Sequence, residues 1–395
     1  MPIDWPARAR ELAPRFADRA ALHDREGSFP FENFNDLREA GFFGLTVPRG
    51  HGGEEASLTT FLRVQEELAA GDGSTALAFM MHLKAFGQER EAPTYPQHWF
   101  DELCRGAIQD GWLCNTVATE EGLGSPAGGG LPETAVVESE GGWLLNGRKT
   151  FVTMAPLLHY FIVLATIPVA AGERPAIGNF MVLRGDPGFS IEETWDTLGM
   201  RATGSHDAIF DSVHLPAGRL MTRRSLGSAD PRGASGVAWF ALGIASTTIG
   251  VARAARDYAV QFARERTPNS NQTIKEYPGV RTRIARIDLL LQRGRAMVYD
   301  AASAWESRAT APPPGMKPFD RVAAAKIDTL NSCIEATDLA MRVAGGVSLQ
   351  KRRPIERFYR DVRAGLHNPP LEDRALEQLA RSALDEPAEP PKAAE

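Results

Sequence analysis

Cysteine is scarce in this chain of 395 residues, which has only Cys104, Cys114 and Cys333. None belongs to a CxxC pair, so the sequence supports neither a disulfide framework nor a zinc or iron–sulfur site with sulfur ligands. This composition fits a reducing compartment, and we expect a cytoplasmic protein. The eight histidines show no HxxxH or HExxH spacing, so we expect no metal site.

An excess of positive charge is also missing. Lys and Arg number 44 against 50 Asp and Glu, a net charge of −6, so no overall field attracts a nucleic-acid backbone. The first 16 residues lack the continuous apolar run of a secretory signal. Residues 233–252 carry no charge, but their apolar period continues into a charged stretch, and we predict a buried helix rather than a membrane span.

Two common catalytic motifs are absent, because the chain has neither a GxSxG elbow nor a P-loop. What it does have is the composition of an ordinary globular protein, with 43% apolar and 24% charged residues. The length suggests two to three domains. Gly122, Gly124 and Ala127 match a GxGxxA pattern, but Pro126 and further glycines follow where a dinucleotide fold needs a helix.

The period of the apolar residues divides the chain into three parts and a tail. Residues 1–112 show helical spacing, and residues 113–225 contain short β-rich runs between turn signals, which predicts a small antiparallel β domain. Residues 226–384 contain three long helical periods with narrow apolar stripes, which predicts a helical bundle. The acidic, Pro-rich tail 385–395 is predicted to be disordered, and the fold class is α+β multi-domain.

Two segments have the composition of a phosphate or cofactor site. The glycines, Thr and Ser of 119–130 can offer N–H and hydroxyl donors to a phosphate or a flavin ring, although a plain surface loop is the alternative. Gly345 and Gly346 precede a run of arginines that can hold a pyrophosphate. Alternatively, Gly345 stops a helix and the arginines form a solvated face.

Six ordered strings resemble the acyl-CoA dehydrogenase superfamily over nearly the whole chain. They are GFFGLTVPRGHGG (41–53), EELAAGDGSTAL (66–77), TEEGLGS (119–125), NGRKTFVT (146–153), DTLGMRATGSHDAIFDSVHLP (196–216) and RVAGGVSLQKRRPIERFYRDVRA (342–364). The resemblance implies an N-terminal helical domain, a middle antiparallel β-barrel and a C-terminal four-helix bundle. It also implies a homotetramer or homodimer with FAD at a subunit interface.

The same resemblance implies which residues hold the flavin. Thr119 and Ser125, with Gly124 between them, resemble residues beside the flavin pyrimidine and pyrophosphate. Phe151 and Thr153 resemble the aromatic and hydroxyl residues on the other side of the ring, although the family usually has Trp at the position of Phe151.

The dinucleotide half of the predicted site departs from the family more. Arg266 is similar to an arginine that reaches the FAD diphosphate of a neighbouring subunit, and Gly345 and Gly346 resemble glycines on the adenosine side. Arg342, however, stands where a flavin-binding Gln is common, and Asn269 falls near a usual Phe.

The usual catalytic glutamate is missing. Acyl-CoA dehydrogenation needs a carboxylate to take the α-proton while a hydride passes to flavin N5. In most of the family that Glu lies nine residues after the arginine matched by Arg360, where this chain has Pro369. The alternative position, on the helix that begins near residue 235, is Phe240 or Ala241. None of these side chains can take a proton.

The resemblance makes FAD-dependent dehydrogenation of an acyl-CoA the first expectation, with two alternatives. Under this first expectation, the chain is an α,β-dehydrogenase of acyl-CoA thioesters in fatty acid metabolism, and Glu372 or Asp373 folds back to act as its base. Such an enzyme would pass its electrons to an electron-transfer partner. Alternatively, LHNP (366–369) resembles a segment of the superfamily's two-component flavin monooxygenases of the dibenzothiophene type. These use O₂ and reduced FMN or FAD from a flavin reductase, and His367, with His82 as a companion, would assist by supplying a proton. Third, a non-catalytic flavin- or CoA-binding protein would have lost the Glu together with its chemistry.

Overall fold

The N-terminal part is helical. The computed structural model describes residues 3–122, 130–170, 172–268, 271–310 and 315–385. Asp4, Ser57 and Asp72 each accept a backbone N–H at the start of a helix, which explains three of the helix beginnings. The helices are α1 (Trp5–Glu26), α2 (Phe31–Glu39), α3 (Leu58–Gly71), α4 (Gly73–Glu91) and α5 (Gln97–Arg105), and a π-helical turn, Gly106–Asp110, follows.

Helix α4 lies in the interior of the protein. Its residues from Gly73 to Glu89 are buried except Leu77, and it packs against α3, α6 and the first strand. A helix that is apolar on every side is typical of a core position. Three titratable side chains in this helix, His82, Lys84 and Glu89, are therefore buried as well.

The middle part is an eight-stranded sheet with the order β6-β7-β3-β2-β4-β5-β8, with β1 paired to β4. The prediction of antiparallel strands is correct for most pairs, but β1 runs parallel to β4, and β2 also meets β4 in parallel through Ala135 and Thr166. The strands are β1 (Leu113–Val117), β2 (Ala135–Ser139), β3 (Gly142–Val152), β4 (Leu158–Ile167), β5 (Ala176–Leu183), β6 (Phe189–Glu192), β7 (His206–Pro216) and β8 (Leu220–Ser225).

Long helices return after the sheet. Helix α6 is long and apolar enough to cross a membrane, but most of its apolar stretch is buried inside the protein, where it packs against α3, α4, α7 and α8. It is therefore the core helix that its sequence predicts. The helices are α6 (Gly233–Glu265), α7 (Pro278–Glu306), α8 (Pro318–Ala344), α9 (Pro354–Asp361) and α10 (Glu372–Leu384). The predicted disordered tail, apart from Asp385, lies outside the described residues.

Arg360 of α9 connects the three parts of the chain. Its guanidinium bonds Asp24 of α1 at 2.6 Å, the carbonyl oxygen of Leu198 at 2.8 Å and Glu356 of its own helix at 2.8 Å. This side chain is 9% exposed, so it does not belong to a solvated face. A buried charge with several charge-assisted hydrogen bonds positions the segments that it joins.

Candidate functional site

The ends of β1 and β3 bring three predicted site residues together. Thr119 follows β1, and its carbonyl oxygen accepts the N–H of Thr150 in β3 at 2.9 Å. Phe151 follows Thr150 directly and Thr153 follows the last residue of β3, so all three predicted ring-side residues lie where β1 and β3 end, and we call this end of the sheet the sheet edge. The two motifs are 32 residues apart in sequence at Thr119 and Phe151, and this strand pairing explains why they meet.

Phe151 has an unusual conformation for an aromatic residue. Its φ of 56° lies in the left-handed region, and its side chain is 62% exposed. The ring lies edge-to-face against Trp195 with the centroids 5.4 Å apart. A left-handed backbone at a bulky residue costs on the order of 1–3 kcal/mol and concentrates at functional sites. The strain here leaves an aromatic face exposed beside Trp195.

The hydroxyl of Thr153 is held in a chain of hydrogen bonds. Thr203 and Ser205 are linked at 2.8 Å, and the Ser205 hydroxyl donates to Thr153 Oγ1 at 3.0 Å. Asn115 donates to the Thr153 carbonyl at 3.1 Å and fixes the backbone. The Thr153 hydroxyl has its own hydrogen to donate, and its acceptor among the described residues is the Phe151 carbonyl at a long 3.5 Å.

These residues fit a flavin ring. A flavin offers an aromatic surface for Phe151 and heteroatoms that can accept a hydrogen bond from a hydroxyl. The weakly occupied donor on Thr153 and the strained, exposed ring of Phe151 supply both contacts from one edge of the sheet. When bound there, a flavin would supply the redox chemistry, and the protein would supply position and polarity.

A buried ion pair supports this edge of the sheet. Lys149 Nζ lies 2.6 Å from Glu120 Oε1, and both residues are buried. Glu120 also accepts the N–H groups of Glu133 and Thr134 at 2.6 and 2.9 Å. Burial raises the pKa of the Glu120 carboxyl, but the hydrogen bonds from Lys149 and Thr134 outweigh it and lower the pKa overall. The pair therefore stays charged and fixes the residue next to Thr119.

The remaining predicted flavin residues are not joined to this cluster. Gly124 and Ser125 lie outside the described residues. Arg266 follows the end of α6 and is exposed, and Gly345, with φ of 67°, ends α8 beside Gly346. A Cβ added to either glycine would meet no neighbouring atom. Within the described parts of one chain, no contact connects these residues to Phe151 or Thr153.

The segment that should carry a base is held against α8. Lys326 of α8 donates to the carbonyl oxygens of Asn368 and Pro370 at 2.9 and 3.0 Å. Glu372 begins α10, is exposed, and accepts a hydrogen bond from Asn331 of α8 at 3.1 Å. His367 ends a 3-10 turn, Ala364–His367, and is exposed.

His82 has a structural environment. It is fully buried, and its Nε2 and Nδ1 contact the carbonyl oxygen of Phe43 at 3.0 Å and the N–H of Cys114 at 3.2 Å. Burial lowers the pKa of this imidazole to about 4. A neutral ring that donates from Nε2 and accepts at Nδ1 satisfies both contacts. His82 is therefore a core residue of α4 in this structure.

Sequence reasoning missed Trp195, Ser205, Asn115 and Lys84. The first three reach the site through contacts between segments that are distant in sequence, so their spacing along the chain does not predict that they belong to it. Lys84 did have a signal, because it is the single Lys, Arg, Asp or Glu between Ala76 and Phe86, where every other residue except His82 is apolar. A lysine within such a run is rarely buried without a reason.

Comparisons with known proteins agree with this architecture. Three sequence models of acyl-CoA dehydrogenase domains match the chain: the N-terminal domain over residues 7–89, the middle domain over 115–213 and the C-terminal domain over 242–368. The "Putative acyl-CoA dehydrogenase YdbM" of Bacillus subtilis (strain 168) is 40% identical over 384 residues, which cover 96% of this chain and 97% of that protein.

Two other relatives point to a different chemistry. The amino sugar nitrososynthase RubN8 of Streptomyces rubradiris is 32% identical over 370 residues, which cover 89% of this chain and 82% of that protein. The solved structure of KijD3 with FMN and dTDP-3-amino-2,3,6-trideoxy-4-keto-3-methyl-D-glucose is 27% identical. Its TM-score is 0.83, and the match covers 97% of this chain and 94% of that one.

Proposed function

This chain belongs to the acyl-CoA dehydrogenase superfamily and is a flavin-dependent oxidoreductase, and from that premise we propose that it is a two-component monooxygenase. It would transfer one oxygen atom of O₂ to a small organic substrate. The observation that carries the proposal is that Pro369 stands at the position of the usual base, where it cannot take a proton, while Glu372 bonds Asn331 of α8 instead.

Dehydrogenation and oxygenation place different demands on the protein. Removal of an α-proton from a thioester needs a base within hydrogen-bond reach of that proton. Pro369, Phe240 and Ala241 offer none, and Glu372 is engaged elsewhere. Oxygen transfer to an atom that carries a lone pair removes no carbon-bound proton, so it does not need that carboxylate. The absence of the glutamate is therefore compatible with oxygenation.

The flavin would enter in reduced form. When bound, it supplies two electrons and two protons, so that one atom of O₂ is incorporated into the substrate and the other leaves as water. Thr119, Phe151 and Thr153 would hold its ring, with Trp195 behind Phe151 and Ser205 behind Thr153. The FMN in KijD3 and the name of RubN8 support this cofactor and reaction class.

The rest of the cofactor site would involve a second subunit. Arg266, Gly345 and Gly346 are exposed in one chain, and they would reach a dinucleotide only across a subunit interface. We propose a homodimer or homotetramer with a flavin reductase as the redox partner. FAD would use these residues together with Gly124 and Ser125, whereas FMN would leave the adenosine side empty.

Acyl-CoA dehydrogenation is the second candidate. It is favoured by the exposure of Glu372, because the single surface hydrogen bond to Asn331 is weak enough to break, and by the name of the 40% identical relative. In that case FAD and an electron-transfer partner would replace reduced flavin and the reductase. The non-catalytic alternative is set aside, since the relatives that the chain matches are oxidoreductases.

An anaerobic titration separates the two candidates. Short, medium, branched and aromatic acyl-CoAs are added to the flavin-loaded protein while the absorbance band of oxidised flavin is recorded. We expect no bleaching by any thioester, and rapid reoxidation when the chemically reduced protein meets O₂. Bleaching by a thioester would overturn the proposal in favour of dehydrogenation.

Two substitutions refine the result. His367→Ala should increase the peroxide released per O₂ consumed, because the proton donor is lost, whereas Glu372→Gln should leave the coupling unchanged. Under dehydrogenation, Glu372→Gln would instead lower turnover by roughly 10²–10⁴. Unaltered coupling in His367→Ala would remove His367 from the mechanism.

A further inference from the structure

Three lysine side chains are buried in the described parts of the chain: Lys84, Lys149 and Lys326. Lys149 pairs with Glu120 at 2.6 Å, and Lys326 donates to two backbone carbonyls. Each of these two ammonium groups has a structural partner, as a buried charge normally requires. Lys84 is the exception.

Lys84 has no acceptor among the residues that the structure describes. Its ammonium lies 5.7 Å from the ring centroid of Phe240, and Arg232, which acts on it electrostatically, has the same sign. Cys114 also acts on it, but burial raises the pKa of the Cys114 thiol to about 12, so the thiol stays neutral. An uncompensated buried charge is expensive, and a protein retains one only where something else compensates it.

The surroundings of Lys84 contain further unused donors. The Tyr95 hydroxyl and Arg232 Nη1 are both buried without a hydrogen bond among the described residues, and the guanidinium lies 4.8 Å from the Tyr95 ring. Glu89 and Asp230 approach Arg232 only at 3.8 and 3.9 Å. The Tyr95 hydroxyl and Arg232 Nη1 therefore have no hydrogen-bond partner among the described residues, and the Glu89 carboxylate lies just beyond hydrogen-bond distance of Arg232.

Strand β1 connects this cluster with the candidate flavin site. Lys84 belongs to α4, Phe240 to α6 and Cys114 to β1, so the ammonium stands where the helices meet the sheet. The residue after Cys114 is Asn115, which holds the carbonyl of Thr153 at 3.1 Å. Phe240 is also one of the positions at which the family resemblance allows a base.

We propose that Lys84 binds an anionic group of the substrate, a carboxylate or sulfonate, while Phe240 contacts its apolar part. The substrate would be a small organic oxyanion, and Tyr95 and Arg232 would support the charged end. This inference rests on the proposed function, because it names the substrate class of the same site. A cation beside an aromatic ring suits an aryl or alkyl acid, since each half of such a molecule finds its own partner.

The test uses the full chain with oxidised flavin bound. Benzoate, benzenesulfonate and uncharged benzamide are titrated while the flavin spectrum and the Tm are recorded. We expect both anions to bind at least roughly tenfold more tightly than benzamide, and Lys84→Met to remove that preference without changing benzamide binding. The matched control is Lys275→Met, which replaces a half-exposed lysine and should behave like the wild type.

Two results would overturn the assignment: equal binding of benzoate and benzamide to the wild type, or full benzoate affinity in Lys84→Met. Neither involves turnover, so the test is independent of the thioester titration. Bleaching by acyl-CoA would refute oxygenation, whereas loss of charge discrimination would refute only the role of Lys84.

A second measurement avoids substitution altogether, in case Lys84→Met fails to fold. Burial lowers the pKa of Lys84 to about 8, while its neighbours Arg232 and Cys114 keep their charge states near that pH. Benzoate affinity of the wild type should therefore decrease as the pH rises above about 8. A constant affinity from pH 7 to about 9.5 would overturn the proposal.

Discussion

The sheet edge and the junction of α4 with α6 each contain a buried lysine, but only the lysine at the sheet edge has an acidic partner. At the sheet edge, Lys149 meets Glu120, whose carboxylate also accepts two backbone N–H groups. At the junction, Lys84 meets an aromatic ring and a second cation. The first region uses its charge to hold the protein together. The second leaves a charge unpaired at the place where a ligand can pair with it.

The strongest test of this comparison is Lys149→Met. Removing one partner of a buried pair leaves the other charge uncompensated, so we expect a loss of about 3–5 kcal/mol in the free energy of unfolding. Urea denaturation at constant m-value measures it. The double variant Lys149→Met, Glu120→Gln should lose less, because the amide oxygen still accepts from Thr134 and no charge is stranded. An equal loss in both variants would show that the pair contributes by packing alone.

Lys326→Met should have an intermediate effect. It leaves the carbonyl oxygens of Asn368 and Pro370 without their shared donor, and we expect a loss of about 2 kcal/mol. The same substitution should increase hydrogen exchange in residues 366–371, which lie in the segment that it anchors. A protein with unchanged exchange there would contradict the anchoring role of Lys326.

Lys84→Met should have the smallest effect and the opposite sign. Burial of the charge costs stability, and the contact with Phe240 offsets part of that cost, so we expect a gain of about 1 kcal/mol at pH 7. A loss comparable to that of Lys149→Met would show that Lys84 has a structural partner, and the contrast between the two regions would disappear.

The pH dependence of this gain follows from the pKa of Lys84, which burial lowers from 10.5 to about 8. Below about pH 8 the lysine is charged in both the folded and the unfolded protein, so the folded state is destabilised by the full free energy of burying the charge. Between about 8 and 10.5 the unfolded chain binds more protons, so the stability of the wild type rises with pH. The stability advantage of Lys84→Met should therefore shrink across that window and then change sign, because a pKa shift of this size exceeds the expected gain; thermal unfolding at several pH values measures it.

Much of the fold was predictable from local patterns. The change from helical to alternating period near residue 113, and back after residue 225, corresponds to the first and last strands, Leu113–Val117 and Leu220–Ser225. The family strings also predicted that Thr119, Phe151 and Thr153 share a site, and the pairing of Thr150 with Thr119 brings them to one edge.

Other features were not accessible from the sequence. The direction of Glu372 depends on Asn331, 41 residues earlier, and the burial of Arg360 depends on Asp24, 336 residues earlier. No spacing rule describes such contacts. The sequence also reveals that Lys84 stands in an apolar run, but not that it has no partner, because a missing contact is a property of the packed structure.

The bond between Arg360 and Asp24 also has a consequence for biosynthesis. Asp24 leaves the ribosome 336 residues before its partner, which corresponds to roughly 20–70 s at ordinary rates of translation. Helix α3 lacks the helix that it packs against most until α6 has been made, and Asp24 lacks its partner until α9 has been made. The N-terminal helices therefore reach their final packing only after most of the chain has been synthesised.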